Sequence, residues 1–457
     1  MTDDPCQSSE AADRSRLDVP ERVLLHIDKV VPGGLGLGFL AGVAMFVPFT
    51  APGDHILAEV TRRQSHHLFG RCVAILTPGP GRIAPGCALF TVCGGCQLRH
   101  LGASLQQAIK RTFVAETLAR FPNLRTVPPL ATRAADEQLD GYRCRAGFKV
   151  RWVGSRLLLG FFQTATHRVA DLAEGCPVLE PRLGALLAPL RHLIADLSVR
   201  HRLPQVDAVV GEEGIGLIWH LLATPARSDL EQLRRFAGRQ GIVQLWLQRG
   251  RKSALQPVVH EAELSYRVGS QTLRFHPGDF IQAHRTGNLL LVEEAIRLGG
   301  TGEVAWDLFC GVGNFTVSLA RRFTHLLGVD GYAPALQRAA ANVGQEQTAT
   351  VRFRCLDLFQ EESLVHLATE RMPDLVLLDP PREGALALVK WLVTRPCGRL
   401  VYVSCNPATF ARDAAILVHG GFRLEHIQPL DLFPQTAHVE LVALLVRQST
   451  GGPTNLN

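Results

Sequence analysis

Apolar residues cluster along the chain in three successive rhythms. Residues 23–27, 43–47, 56–60 and 72–76 are short apolar runs. Turn formers separate them, among them Pro32-Gly33-Gly34, Pro48 and Pro52-Gly53-Asp54. Short strands at that spacing predict a small antiparallel barrel. Residues 35–48 are apolar and glycine-rich, but too short and interrupted to span a membrane. Residues 105–121 have the spacing of an amphipathic helix stopped by Pro122. Between residues 142 and 260, alternating segments such as 148–152 mix with helical ones, predicting a separate α+β region. From about residue 275 strand, glycine turn and helix repeat, as in a doubly wound α/β domain. The polar residues 1–20 read as a disordered lead-in. The expected organisation is therefore 1–20 lead-in, 21–78 barrel, 79–270 central α+β domain and 271–457 α/β domain.

Composition narrows this little. The chain has 457 residues, 46% of them hydrophobic and 20% charged, which describes an ordinary globular protein. A net charge of +6 is compatible with a nucleic-acid partner without requiring one. Arg62, Arg63, His66, His67 and Arg71 on the barrel suit phosphate contacts or a plain solvated face. No apolar run is long enough for a membrane span, and the N-terminus has no signal core. A cytoplasmic monomer with reduced cysteines is expected, eleven cysteines in all.

The α/β region carries the chemistry. Residues 303–309 read as its first strand, followed by Gly311 and Gly313 in a tight turn and a helix from Asn314. The second strand ends at Asp330, about 20 residues past the turn, where a carboxylate meets ribose hydroxyls. Asp357 and Asp379 end the next two strands, and Pro380-Pro381 stops the fourth. Each acid alone could cap a helix; three at successive strand ends favour one shared site. The turn lacks the third glycine of a dinucleotide fingerprint and follows Asp307. An acid there suits a cationic ligand, which favours S-adenosylmethionine over a nicotinamide.

The fifth strand, 400–403, leads into Ser404-Cys405-Asn406-Pro407. Polar neighbours and the proline make Cys405 a candidate nucleophile rather than an inert core thiol. A loop over 433–440 places Glu440 at the mouth of a last strand, as a general base or a salt-bridge partner. Thiol, methyl donor and base together suit methylation at C5 of uracil. The thiolate adds at C6, C5 becomes nucleophilic enough to take the methyl, and a base removes the C5 proton so that the thiolate leaves. An amino-group methyltransferase would want an aromatic where Arg382 stands. An RNA-binding or redox-sensing module leaves Cys405 and Glu440 without a task.

Residues 280–282, 307–314, Asp379-Pro380-Pro381-Arg382, 403–407 and 434–440, in this order, resemble the RNA uracil-5-methyltransferase family. The resemblance implies a Rossmann-like S-adenosylmethionine-dependent methyltransferase domain of the EC 2.1.1 class. It implies Cys405 as nucleophile and Glu440 as base. It implies donor contacts from Gln282, Phe309, Asn314, Asp330, Asp357 and Asp379. Asp330 stands where the family more often has glutamate, and Asp357 where relatives vary between Asp and Asn.

Cys87, Cys93 and Cys96 fall within ten positions, and Cys176 follows 80 residues later. By spacing alone such a set could hold zinc or an iron–sulfur cluster. The resemblance implies a [4Fe-4S] cluster on these four. The barrel resembles a TRAM (OB-like) RNA-binding module. Barrel and cysteines together point to the 23S ribosomal RNA branch, with a tRNA or another 23S uridine as the alternative target.

Overall fold

The computed structural model describes residues 21–135, 139–250, 253–344 and 349–448, so the expected lead-in lies outside the described residues. The chain divides into two compact units between Arg82 and Ile83. In the first, strands Arg22–His26, Lys29–Val31, Leu35–Leu40, Val43–Pro48, His55–Arg63 and His67–Thr77 form one six-stranded sheet. Leu25, Ile27, Met45, Val47, Ile56, Ala58, Val60 and Leu68 make its core. The sheet is not purely antiparallel: Val43–Pro48 runs parallel to His67–Thr77. The apolar stretch 35–48 is a hairpin turning over Ala41 and Gly42, both at positive φ, as the right-handed twist of a two-residue hairpin requires. Buried Asp54 accepts from the backbone N–H of Gly79 at 2.8 Å and from Arg82 Nε at 3.1 Å. These bonds tie the last residues of the unit to its core.

The second unit contains two large sheets. The central one has seven strands, among them Arg145–Val153, Arg156–Phe162, Gln205–Val210, Ile215–Leu221 and Ile242–Arg249. Helices Pro181–Asp196 and Arg227–Gln240 share its apolar core through Leu183, Leu190, Leu233 and Phe236. The other sheet has eight strands in the order Thr350–Cys355, Phe323–Asp330, Gly302–Leu308, Leu375–Leu378, Arg399–Ser404, Glu440–Arg447, Phe422–Asp431 and Arg133–Ala134. The first five are parallel and almost wholly buried near the middle, as sheets covered on both faces must be. Glu440–Arg447 is antiparallel to both of its neighbours.

Two elements depart from expectation. The helix after the glycine turn is a single turn, Thr316–Leu319. A ten-residue strand, Phe422–Asp431, was not expected: Pro429 and a bulge between Leu424 and His426 interrupt its alternation. Among the described residues no helix is long and apolar enough to cross a membrane.

Candidate active site

The antiparallel last strand sets the central geometry. Its register pairs Ser404 with Leu441, so the residue after Ser404 and the residue before Leu441 lie on the adjoining row. Those residues are Cys405 and Glu440. Cys405 sits half-buried between the Arg399–Ser404 strand and the Pro407–His419 helix. Asn406 caps that helix, its side-chain oxygen accepting from Ala408 N at 3.1 Å, and Pro407 occupies the first turn. The Asn406 amide also donates to the Arg382 carbonyl at 3.0 Å, and Thr409 Oγ1 to the same oxygen at 3.1 Å. The proline loop is thus fastened to the turn that carries Cys405.

Electrostatics show that four groups converge here. Burial pushes the Cys405 thiol up to about 11; the Glu440 and Asp379 carboxylates push the same way, while the Arg382 guanidinium opposes them. Burial also holds the Glu440 carboxyl well above its usual range, with Asp379 adding and Arg382 opposing. Asp379 is raised to about 7, by burial first and by Asp307 second. Arg382 donates to Nδ1 of His438 at 2.8 Å. Burial first, then Arg382, lowers His438 to about 4, so its ring is neutral at physiological pH and can accept that bond. Arg382 is therefore the cation that opposes the upward shifts of both Cys405 and Glu440. Its place after Asp379-Pro380-Pro381 is the signal by which sequence could have assigned it a role.

Of the expected donor-binding residues, Phe309, Asp330, Asp357 and Asp379 stand at or just past the ends of parallel strands, on one edge of the sheet. Gly311 and Gly313 have φ of 53° and 92°, and Phe309 also lies at positive φ, 67°. A strained non-glycine residue at a strand end is the kind of feature found at ligand sites. Asp330 accepts from Gly311 N at 2.9 Å and Tyr332 N at 2.8 Å. Exposed Asp357 accepts from Phe359 N at 3.0 Å, and Phe359 packs on Phe309 with ring centroids 5.6 Å apart. Asn314 forms a reciprocal amide pair with Asn288, both bonds 2.9 Å, and accepts from Tyr266 OH at 3.1 Å. Asn288 and Tyr266 were not singled out from sequence. Gln282 is half-buried, its carbonyl accepting from Cys144 Sγ at 3.6 Å.

Asp307 corrects an expectation. It does not face a ligand: it is fully buried and accepts a hydrogen bond from Thr316 Oγ1. The strand continues through Leu308, so Asp307 stays within the ladder, paired with Gly328 and Leu377, in a sheet buried on both faces. Burial raises it to about 7.

A family model described as tRNA (uracil-5-)-methyltransferase matches residues 108–448. The chain belongs to this family. It is 37% identical over 439 residues to the 23S rRNA (uracil(1939)-C(5))-methyltransferase RlmD of Methylococcus capsulatus, covering 93% of this chain and 97% of that protein. It is 38% identical over 424 residues to the RlmD of Thiobacillus denitrificans, covering 91% and 97%. Among solved structures, the Pyrococcus abyssi tRNA (uracil-54, C5)-methyltransferase in complex with S-adenosyl-L-homocysteine shares the fold. It has a TM-score of 0.71 at 24% identity, covering 93% of this chain and all of that one. As a uracil-5-methyltransferase family member the chain is an S-adenosylmethionine-dependent methyltransferase of the EC 2.1.1 class.

The family member's four cysteines Cys87, Cys93, Cys96 and Cys176 are free thiols, all half-buried. Burial first, then one another, raises Cys93 and Cys96, the latter to about 12. Leu179 N donates to the Cys176 carbonyl at 3.2 Å, and Gly95 N donates to the Cys93 sulfur at 3.4 Å. The sulfurs of Cys93, Cys96 and Cys176 are thus within electrostatic reach of one another. Among the described residues, however, no group of three or more His, Cys, Asp or Glu is drawn close enough to hold a metal ion.

Proposed function

We propose that this protein methylates C5 of a uridine in 23S ribosomal RNA, using Cys405 as nucleophile and Glu440 as base. The single observation that carries the reading is the register that sets Cys405 beside Glu440 at the sheet's functional edge. S-adenosylmethionine supplies the electrophilic methyl carbon when bound. Cys405, having lost its proton to water, adds through Sγ to C6 of the uracil; the electron pair moves to C5 and takes the methyl, whose bond to the donor sulfonium breaks so that the donor leaves as a neutral thioether. Glu440 then accepts the C5 proton, the C6–Sγ bond breaks and the thiolate is released. A carboxylate whose buried site disfavours its charge is a strong base once ionised. Asp330, Asp357, Asn314, Phe309, Gln282 and Asp379 hold the donor, Asp330 retaining lone pairs for ribose hydroxyls. The RNA target rests on the similarity to the RlmD proteins, and the barrel is read as an RNA-binding module. The protein acts as a cytoplasmic monomer.

We further propose a [4Fe-4S] cluster on Cys87, Cys93, Cys96 and Cys176, a reading supported by the donor chemistry and by the family resemblance. Anaerobically purified protein should carry iron and sulfide, lost in Cys93→Ser; zinc, or no metal, rejects it. For the methylation, mass mapping of ribosomal RNA from a deletion strain should show one 5-methyluridine gone, restored by the wild-type protein and not by Cys405→Ala. Unchanged 23S RNA with a missing tRNA methyl would move the target; restoration by Cys405→Ala would end the covalent mechanism.

A further inference from the structure

The loop that carries Glu440 is held from outside by the segment that follows the cysteines. Gln435, buried within it, has φ of 70°, in the left-handed region that a side chain disfavours. Such a conformation persists only where its surroundings over-determine it. Here they do. Leu98 N donates to the Gln435 carbonyl at 2.9 Å. Gln435 N donates to Gln106 Oε1 at 2.8 Å, and Gln106 Nε2 returns a bond to Gln435 Oε1 at 3.1 Å. Gln106 Nε2 also donates to the Leu101 carbonyl at 2.8 Å, which fixes its rotamer. Ala437 N donates to Gln97 Oε1 at 3.3 Å, and Gln97 Nε2 donates to the Gly94 carbonyl at 2.7 Å. Lys110 Nζ reaches Asp431 Oδ1 at 2.5 Å and the Phe433 carbonyl at 2.9 Å. The strap begins inside the cysteine run, since Gln97 follows Cys96 and holds the carbonyl of Gly94.

We infer that Gln97 and Gln106 are positioning residues for proton abstraction: the strap 97–110 sets the conformation of loop 431–439 and so the place of Glu440. The inference rests on Glu440 being the base. Cys405 lies on a different strand, braced by its own capped helix, and the strap makes none of its bonds to the Cys405 turn. Loosening the strap therefore acts first on the step that needs Glu440, and reaches Cys405 only at second hand, through His438 of the loop and the Arg382 it holds. That step is loss of the C5 proton with cleavage of the C6–Sγ bond, so its failure leaves methylated RNA covalently attached to Cys405.

The test uses the full-length protein, a labelled methyl donor, and a 23S RNA fragment containing the uridine mapped above. Gln97→Leu, Gln106→Leu and the control Glu440→Gln are compared with wild type. Single-turnover methyl incorporation and the denaturation-resistant protein–RNA adduct are read separately. Glu440→Gln should trap adduct. Gln97→Leu and Gln106→Leu should incorporate methyl at close to the wild-type rate but release it about ten- to a hundredfold more slowly, with adduct visible during turnover, because misplacing a general base costs on that order. Gln106 is fully buried, so its replacement can lower folding stability; half-buried Gln97 supplies the second variant. Wild-type release by Gln97→Leu, or parallel loss of incorporation and adduct in both variants, overturns the inference while Glu440→Gln still traps. If Glu440→Gln itself releases product freely, the base assignment falls, and the inference with it.

Discussion

Cys405 should be an unreactive thiol in the free protein, and its titration tests the electrostatics of the site. With the thiol pushed up to about 11, only about one molecule in a thousand carries thiolate at pH 8. Iodoacetamide should therefore modify Cys405 slowly at neutral pH, with a rate that rises about tenfold per pH unit and shows no plateau below pH ~10. Peptide mass spectrometry separates it from the exposed Cys355, which serves as a check on the reagent. The causes predict the direction of each variant. Glu440→Gln and Asp379→Asn remove negative charge beside the sulfur and should move the profile to lower pH. Arg382→Met removes the opposing cation and should move it higher. A charged neighbour contributes on the order of one pH unit, so Glu440→Gln at pH 9 should react up to about tenfold faster than wild type. A wild-type plateau at or below pH 8 would show a preformed thiolate and refute the burial argument. An unmoved profile in Glu440→Gln would refute the adjacency of thiol and acid.

Two further predictions concern what holds the site. Lys110 and Asp431 form an ion pair almost wholly shielded from solvent. Lys110→Met strands the carboxylate and should cost about 3–5 kcal/mol in urea unfolding, most of it recovered in Lys110→Met/Asp431→Leu; a single-variant loss below about 1 kcal/mol would mean that water reaches the pair. Asn288→Leu leaves the Asn314 amide without its reciprocal partner. The KM for S-adenosylmethionine should rise about tenfold with kcat nearly unchanged, since an unpaired buried amide costs about 1–3 kcal/mol; an unaltered KM would remove Asn314 from the donor site.

Residues at strand ends were legible because apolar runs and turn formers mark where a strand stops. Asp330, Asp379 and Cys405 could be placed on one edge without coordinates, and they stand there. Asp307 failed by one residue. It pairs with Gly328 and Leu377 inside the sheet, so it is a ladder residue buried with its strand rather than a group at the strand's open end. Asn288 and Tyr266 were invisible for another reason. They precede Asn314 by 26 and 48 residues, and nothing local marks an amide whose partner arrives through the fold. Gln97 and Gln106, more than 300 residues from the loop they bind, lie further still beyond any sequence pattern.

The topology explains why that distant bracing is needed. In a parallel sheet every strand delivers its last residue to the same edge, and the helix that follows holds the turn. Cys405 is held in this way, through Asn406 and Pro407. A group that must face such a residue from the neighbouring antiparallel strand can stand only at that strand's first position. Glu440 does, and so it is preceded by a loop, with no following helix to hold its turn. The loop's backbone groups must then find partners elsewhere, because buried amides and carbonyls are rarely left unmade. The Ala103–Leu118 helix and the residues leading into it provide them. Setting Glu440 against Cys405 across antiparallel strands thus transfers the bracing of Glu440 from its own strand to residues 97–110, more than 300 positions away in the chain.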